Sequence, residues 1–200
     1  MRHAFVAVFM LALGALAACD GGNEPRPTPT PTSTTDSPRP TVAPAVHDAL
    51  DLRPHRLRTC ALLTKSQVAE LDFPPQNSEG ASREGGLCEW FADRSGPGRT
   101  ETYLFNLHAD VAGDPLAAAY RESNDAVGDR PVWQLFDERT VGGLPAVVRS
   151  RDDPAASCQV VVGAGNGQGI TMSASTGGSD PRLCDRMVTA ATWVVDRARG

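Results

Sequence analysis

Between Asp20 and Pro44 the chain carries seven prolines, six threonines and two serines, with Val42 and Ala43 as the only apolar side chains apart from proline. Proline lacks an amide hydrogen and fixes its own φ. The alternating Pro-Thr run over 27–32 therefore favours an extended, solvated polyproline II chain. A segment that buries nothing cannot join a core. We expect a disordered Pro/Thr-rich tether over 19–44 and one folded domain over 45–200. At about 3.1 Å per residue, the tether beyond residue 19 reaches on the order of 75 Å. The Thr/Pro alternation also suits an O-glycosylated stalk.

The residues before the tether have the order of a secretory leader. Met1-Arg2-His3 is a short basic start, 4–13 is an uncharged apolar run, and Leu16-Ala17-Ala18-Cys19 ends it with small residues and a cysteine. The apolar run is too short to span a bilayer. The ending resembles the lipobox of bacterial lipoproteins. That resemblance implies a signal peptide over 1–18 and a diacylglyceryl group on the Cys19 thiol. It also implies that Cys19 becomes the mature N-terminus and anchors the chain to the extracytoplasmic face of the cell membrane. Two acyl chains, at about 0.8 kcal/mol per buried methylene, hold a protein stably where one holds it marginally.

The formal net charge is −5, and only Lys65 accompanies the arginines among the 19 basic residues. No basic stripe exists, which argues against nucleic acid as a partner. Beyond Cys19 stand Cys60, Cys88, Cys158 and Cys184. Four cysteines in an exported domain read as two disulfides. Metal ligation would need closer spacing or nearby histidines, and neither is present, so no metal or other cofactor is expected. Three pairings are open to four cysteines.

Thr64-Lys65-Ser66-Gln67 has the form of a capping box and predicts a helix to about residue 71, closed by Phe73-Pro74-Pro75. Residues 76–86 read as a loop and 87–92 as a strand, followed by a turn over 93–99. Residues 100–108 alternate, with Tyr103, Phe105 and Leu107 on one side and Thr102, Asn106 and His108 on the other. Asp114-Pro115 is a cap followed by proline at the first helical position, and predicts a helix to about 123. Residues 131–141 read as a strand that places Trp133 and Leu135 on one face. Gly142-Gly143 turns the chain into a strand over 144–150. Asn166-Gly167 is the expected hairpin turn between strands over 158–163 and 169–175. In the second of these, Ile170, Met172 and Ala174 face opposite to Thr171, Ser173 and Ser175. Asp180-Pro181 opens a last helix lined by Leu183, Met187, Ala191, Val194 and Ala198.

The pattern predicts an α+β fold, a mainly antiparallel sheet with helices packed on its apolar face. The hairpin returns to the end where Cys158 starts, near Cys184 in the helix that follows. Cys60 and Cys88 are joined by a loop long enough to return. This favours Cys60–Cys88 and Cys158–Cys184 over the other pairings.

Several segments together resemble a known family. They are Cys60-Ala-Leu-Leu-Thr64, Cys88-Glu-Trp90, Val141-Gly-Gly-Leu-Pro-Ala146, Cys158-Gln-Val-Val-Val162 and Cys184 at a terminal helix. The family is an actinobacterial lipoprotein family catalogued as domain-of-unknown-function family 3558. The resemblance spans nearly the whole folded region. It implies location and fold, and no assigned activity.

The candidates for chemistry have plainer readings. The glycine-rich stretch 163–169 lacks the Lys-Ser/Thr of a phosphate loop and precedes a strand, so it reads as a hairpin turn. Asp152-Asp153 lacks the spaced oxygen ligands of a calcium loop. His47, His55 and His108 are scattered, and no Gly-x-Ser-x-Gly elbow supplies a nucleophile. Trp90, Trp133 and Trp193 read as core rather than as pocket lining. No catalytic residue is assigned. The sequence favours a non-catalytic envelope module that binds a protein, a wall polymer or an apolar ligand. An extracytoplasmic hydrolase-like enzyme is the alternative.

Overall fold

The alternation of apolar and polar residues in the second half of the chain becomes one twisted antiparallel sheet. The computed structural model describes residues 38–74, 76–96 and 99–200, with the side chains of 93–96 and 99–103 outside that description. Cys19, the leader and most of the expected tether therefore lie outside the described residues.

Two short 3-10 turns, Arg53–His55 and Thr59–Leu62, lead into helix α1, Lys65–Glu70. Its capping box is complete. The Gln67 amide donates to the Thr64 hydroxyl at 3.2 Å, and the Thr64 amide donates to Gln67 Oε1 at 2.9 Å. Strands β1 (Gln76–Ala81), β2 (Gly85–Gly96) and β3 (Arg99–Asp110) form a meander. Helix α2, Pro115–Arg121, follows, and then a small ribbon of β4 (Ala126–Val127) and β5 (Arg130–Pro131). A second meander comprises β6 (Leu135–Val141), β7 (Leu144–Ser150), β8 (Ser157–Gly165) and β9 (Gln168–Ser175). Helix α3, Leu183–Arg199, ends the chain.

The strand order is β1-β2-β3-β9-β8-β7-β6, every neighbouring pair antiparallel, so β3 and β9 weld the two meanders together. The turns are those that the sequence dictates. Asn166 and Gly167 have φ of 53° and 70°, and Gly142 and Gly143 have 54° and 79°, the left-handed pairs of tight hairpins.

Residues two apart on a strand share a face. Cys88 and Trp90, Phe105 and Leu107, Ile170 and Met172, Val160 and Val162, and Ala146 and Val148 are register neighbours on one face. All are at most 3 % exposed. Met187, Ala190, Ala191, Val194 and Val195 of α3 cover that face at the β8 and β9 end. Val68, Leu71 and Phe73 from the α1 region join the same core, and Phe105 stacks on both Phe73 and Trp90, with ring centroids 4.4 and 4.8 Å away. Arg186 of α3 donates to the Leu71 carbonyl and to Asp180, tying the helix to the α1 end.

The sheet is mainly antiparallel, as expected, but the helices do not all share one face. Leu116, Ala119 and Tyr120 of α2 pack on Val147 and Val161, which point away from the α3 core. The reason is glycine. A side chain at Gly163 would meet Leu116 at 2.7 Å, and one at Gly169 would meet Pro115 at 2.4 Å, so α2 lies directly on the strands there.

Other differences have equally local causes. Residues 76–81 form β1 rather than a loop. Its sequence, Gln-Asn-Ser-Glu-Gly-Ala, is exposed throughout and offers no apolar alternation to read. The strand expected from 131 begins at Leu135, and Trp133 precedes it. The last helix begins at Leu183, because Asp180 Oδ1 accepts from the Arg182 amide in the turn before it instead of capping the helix. Residues 38–44, expected in the tether, lie on the domain. The Arg39 amide donates to Asn124 Oδ1 at 2.9 Å, and Asn124 Nδ2 donates back to the Arg39 carbonyl at 2.8 Å. The Arg39 guanidinium reaches the Ser123 and Trp133 carbonyls at 3.1 and 3.0 Å.

Candidate functional site

The sheet face opposite α3 carries an uninterrupted polar row. Register places Asn106 beside Ser173, Ser173 beside Gln159 and Gln159 beside Arg149, across β3, β9, β8 and β7. Ser175 and Ser157 form the next pair toward one end. Over this end lies a recess of about 320 Å³, bounded by Asn106, Trp133, Arg149, Gln159, Ser173 and Ser175 among others.

Arg149 is the most constrained of these residues. Its side chain is 10 % exposed. Nε donates to Gln159 Oε1 at 2.6 Å and Nη1 to Glu122 Oε2 at 3.0 Å. The guanidinium lies 3.9 Å from the centroid of the Trp133 ring, and that of Arg151 lies 5.0 Å from it. Burial pushes the Arg149 pKa below its ordinary value, and the Glu122 carboxylate opposes that shift. An arginine fixed on two sides and stacked on an indole is oriented before any ligand arrives.

Two polar atoms of the lining residues have no partner. Asn106 Oδ1 and Trp133 Nε1 are both buried and both lack a hydrogen bond. An orphaned buried polar group costs about 1–3 kcal/mol. One acceptor and one donor at the same recess are what a bound molecule or ordered water would relieve.

A second hollow, of about 440 Å³, adjoins the other end of the face and includes Glu84, His108 and Asp110. Burial raises the pKa of Asp110, while the Thr171 hydroxyl, donating to Asp110 Oδ2 at 3.1 Å, and the nearby His108 act against that shift. The Ser82 hydroxyl near this hollow accepts from the Glu84 and Gly85 amides at 3.1 and 3.3 Å, which fixes the turn. A third hollow, of about 430 Å³, lies beside Val68, Phe73 and Trp90, but Trp90 and Phe73 are only 1 % and 7 % exposed and offer it little ring surface.

The structure distributes the residues singled out in the sequence. Cys60 pairs with Cys88 and Cys158 with Cys184, at Cα separations of 5.0 and 5.4 Å. His47 is exposed, His55 is half-buried in the first 3-10 turn, and neither joins His108. Asp152 and Asp153 are exposed in a turn, where Asp153 Oδ1 accepts from the Ala155 amide at 2.9 Å. Among the described residues no cluster of three or more His, Cys, Asp or Glu could hold a metal ion, and no helix is long and apolar enough to cross a membrane. Trp90 and Trp133 are buried, as expected, yet each also edges a hollow. Arg149 and Gln159 give no sequence signal as a pair. Their places in alternating strands, with Arg149 inside an otherwise apolar run, are the available clue.

The model of a protein family described as of unknown function, DUF3558, matches residues 14–197. The chain belongs to that family. No curated protein and no solved structure gives a match. Membership assigns no chemistry to this DUF3558 domain.

Proposed function

We propose that this DUF3558 protein is an envelope lipoprotein whose folded domain is a non-catalytic binding or accessory module, with its ligand seated in the recess over Ser173. The Leu16-Ala17-Ala18-Cys19 ending supports the anchor. The observation that carries the binding role is the orphaned pair, Asn106 Oδ1 and Trp133 Nε1, beside an arginine already locked by Glu122 and Gln159. Such preorganisation lowers the entropic cost of holding a ligand. The hydrolase-like alternative would draw on His108 and Asp110, where Ser82, the nearby hydroxyl, is already engaged in a turn.

Two experiments test the proposal. Replacing Cys19 with Ala should abolish labelling by an alkyne fatty acid and release the protein from the membrane fraction. Equal labelling of the variant would remove the anchor from the proposal. For the binding role, Ser175→Tyr fills the exposed rim of the recess without touching the core. Partners or glycans recovered with detergent-solubilised wild type should be lost from this variant. Turnover of an envelope substrate that vanishes in a folded His108→Ala variant would replace the binding reading with the enzymatic one.

A further inference from the structure

We infer that the recess takes an uncharged, polyhydroxylated ligand, a neutral saccharide segment, in preference to an ion or an extended peptide. The inference rests on the binding reading above and names the ligand class for that site.

The first argument is charge. Arg149 is already bonded to Glu122, and the exposed Arg151 stands beside the exposed Asp152 at the rim. Arg149 is thus neutralised, and Arg151 and Asp152 add one charge of each sign to the lining, so the recess presents no formal surplus of either sign. An anionic ligand would have to displace Glu122 or rely on the exposed Arg151. In water, exposed pairs of that kind contribute only about 0–1 kcal/mol.

The second argument is hydrogen-bond type. Trp133 Nε1 can only donate, and Asn106 Oδ1 can only accept. A carboxylate or phosphate would satisfy the indole but would meet the amide oxygen unless the Asn106 amide turned over. An ammonium would do the reverse. Hydroxyl groups donate and accept, so a polyol satisfies both without bringing charge. Among the other wall groups, the Ser173 and Ser175 hydroxyls are of the same neutral, two-way kind, and the Gln159 amide, its Oε1 held by Arg149, keeps its N–H groups to donate.

The third argument separates a saccharide from a peptide, whose backbone is also neutral and two-way. Extended peptides are commonly held by adding a strand to a sheet edge. The recess lies over β9 and β8, each of which has a neighbour on both sides, so no free backbone edge is available there. Recognition falls to side chains alone. Asn106, Ser173, Gln159 and Arg149 sit on four adjacent strands, and at about 4.8 Å between strands the row spans about 14 Å. A row of two amides, a hydroxyl and a guanidinium at that spacing suits the successive diols of a short oligosaccharide.

The test uses the full acylated chain in detergent micelles. It is probed on an array of neutral oligosaccharides in furanose and pyranose forms, with oligogalacturonates as acidic controls and an oligoalanine peptide as the extended control. Hits are titrated by tryptophan fluorescence at low and high salt. We expect at least one neutral glycan to bind with an affinity unchanged by salt. We also expect that affinity to fall at least tenfold in both Ser175→Tyr and Asn106→Leu, with thermal stability kept in Ser175→Tyr. Binding of acidic glycans alone, weakened by salt and lost in Ser175→Tyr, would overturn the inference while leaving the recess as the binding site. Binding of the peptide alone would do the same. If no probe binds, or if a neutral glycan binds equally to wild type and both variants, the saccharide assignment is overturned. The binding reading then stands or falls on whether Ser175→Tyr loses the partners recovered from membranes.

Discussion

The two faces of the seven-stranded sheet are built from the same strands and obey different rules. On the α3 face, every second residue of β2, β3, β9 and β8 within the core rows is apolar and nearly inaccessible. On the other face, Val147 and Val161 are the apolar side chains buried under α2, and the neighbouring positions read Asn106, Ser173, Gln159 and Arg149. The first face specifies the fold, because removing apolar surface from water is the main driving force and tolerates no substitution that opens a void. The second face is free to specialise, because the strands are already fixed from behind. The contrast between adjacent residues such as Met172 and Ser173 is therefore a contrast between stability and recognition.

The largest expected effect tests the face that specifies the fold. Trp90→Ala should cost about 3–5 kcal/mol, since Trp90 is 1 % exposed and stacked on Phe105. Ser173→Ala, on the opposite face, should change stability by less than about 0.5 kcal/mol while weakening ligand binding. Urea denaturation of both variants measures the difference. Similar costs for the two would mean that the polar face is structural.

Next come the covalent ties, which all lie at or behind the core face. Cys158 and Cys184 are 26 residues apart, and the chain-entropy relation gives about 3.5 kcal/mol for closing a loop of that size. The double variant Cys158→Ala/Cys184→Ala should melt well below wild type, with α3 amides exchanging fastest. Hydrogen exchange that left α3 protected would show that helix packing holds this end without the bridge.

A smaller effect probes where the two faces meet a helix too closely. Gly169→Ala would put a methyl group 2.4 Å from Pro115 and 2.8 Å from the Val162 carbonyl. Overpacking of that kind costs about 1–3 kcal/mol. The cost should fall on α2, visible as lost order of Leu116 and Tyr120 in NMR spectra, with the α3 core unchanged. Thr64→Ala, which removes a complete capping box, should cost about 1 kcal/mol and act only on α1.

The core face is legible in the sequence because alternation of period two is a direct record of burial. Ile170, Met172 and Ala174 against Thr171, Ser173 and Ser175 assign both faces of β9 from the pattern alone. The Cys158–Cys184 pair is favoured by the hairpin that returns Cys158 toward Cys184, and Cys60–Cys88 by a loop long enough to return, and both pairs form. The strand β1 is not legible, since Gln76–Ala81 is held by backbone pairing to β2 and by no buried side chain. The placement of α2 on the second face is hidden in Gly163 and Gly169, which read equally well as turn residues. The recess is hidden for a different reason. Asn106, Trp133, Arg149 and Gln159 are far apart in sequence, and only the order β3-β9-β8-β7 brings the strand residues into one row.

The smallest predicted effect concerns Asp110, a carboxylate on the second face that is partly buried without a full charge partner. Burial raises its pKa above the ordinary carboxylate value. The Thr171 hydroxyl and His108 pull it back, and Glu84 adds to the rise. A pKa higher in the folded than in the unfolded state means that the native protein binds this proton more readily. The stability linked to Asp110 is therefore fully present below the ordinary carboxylate pKa and is lost as pH rises through the raised value. Asp110→Asn keeps an acceptor for Thr171 and removes the charge. It should be more stable than wild type near neutral pH, and the advantage should vanish at about pH 3, where Asp110 itself is protonated. Denaturant midpoints at the two pH values decide the matter. If the variant is less stable at neutral pH, the charged bond from Thr171 outweighs the cost of burial, and this end of the polar face is built to hold an anion rather than merely to tolerate one.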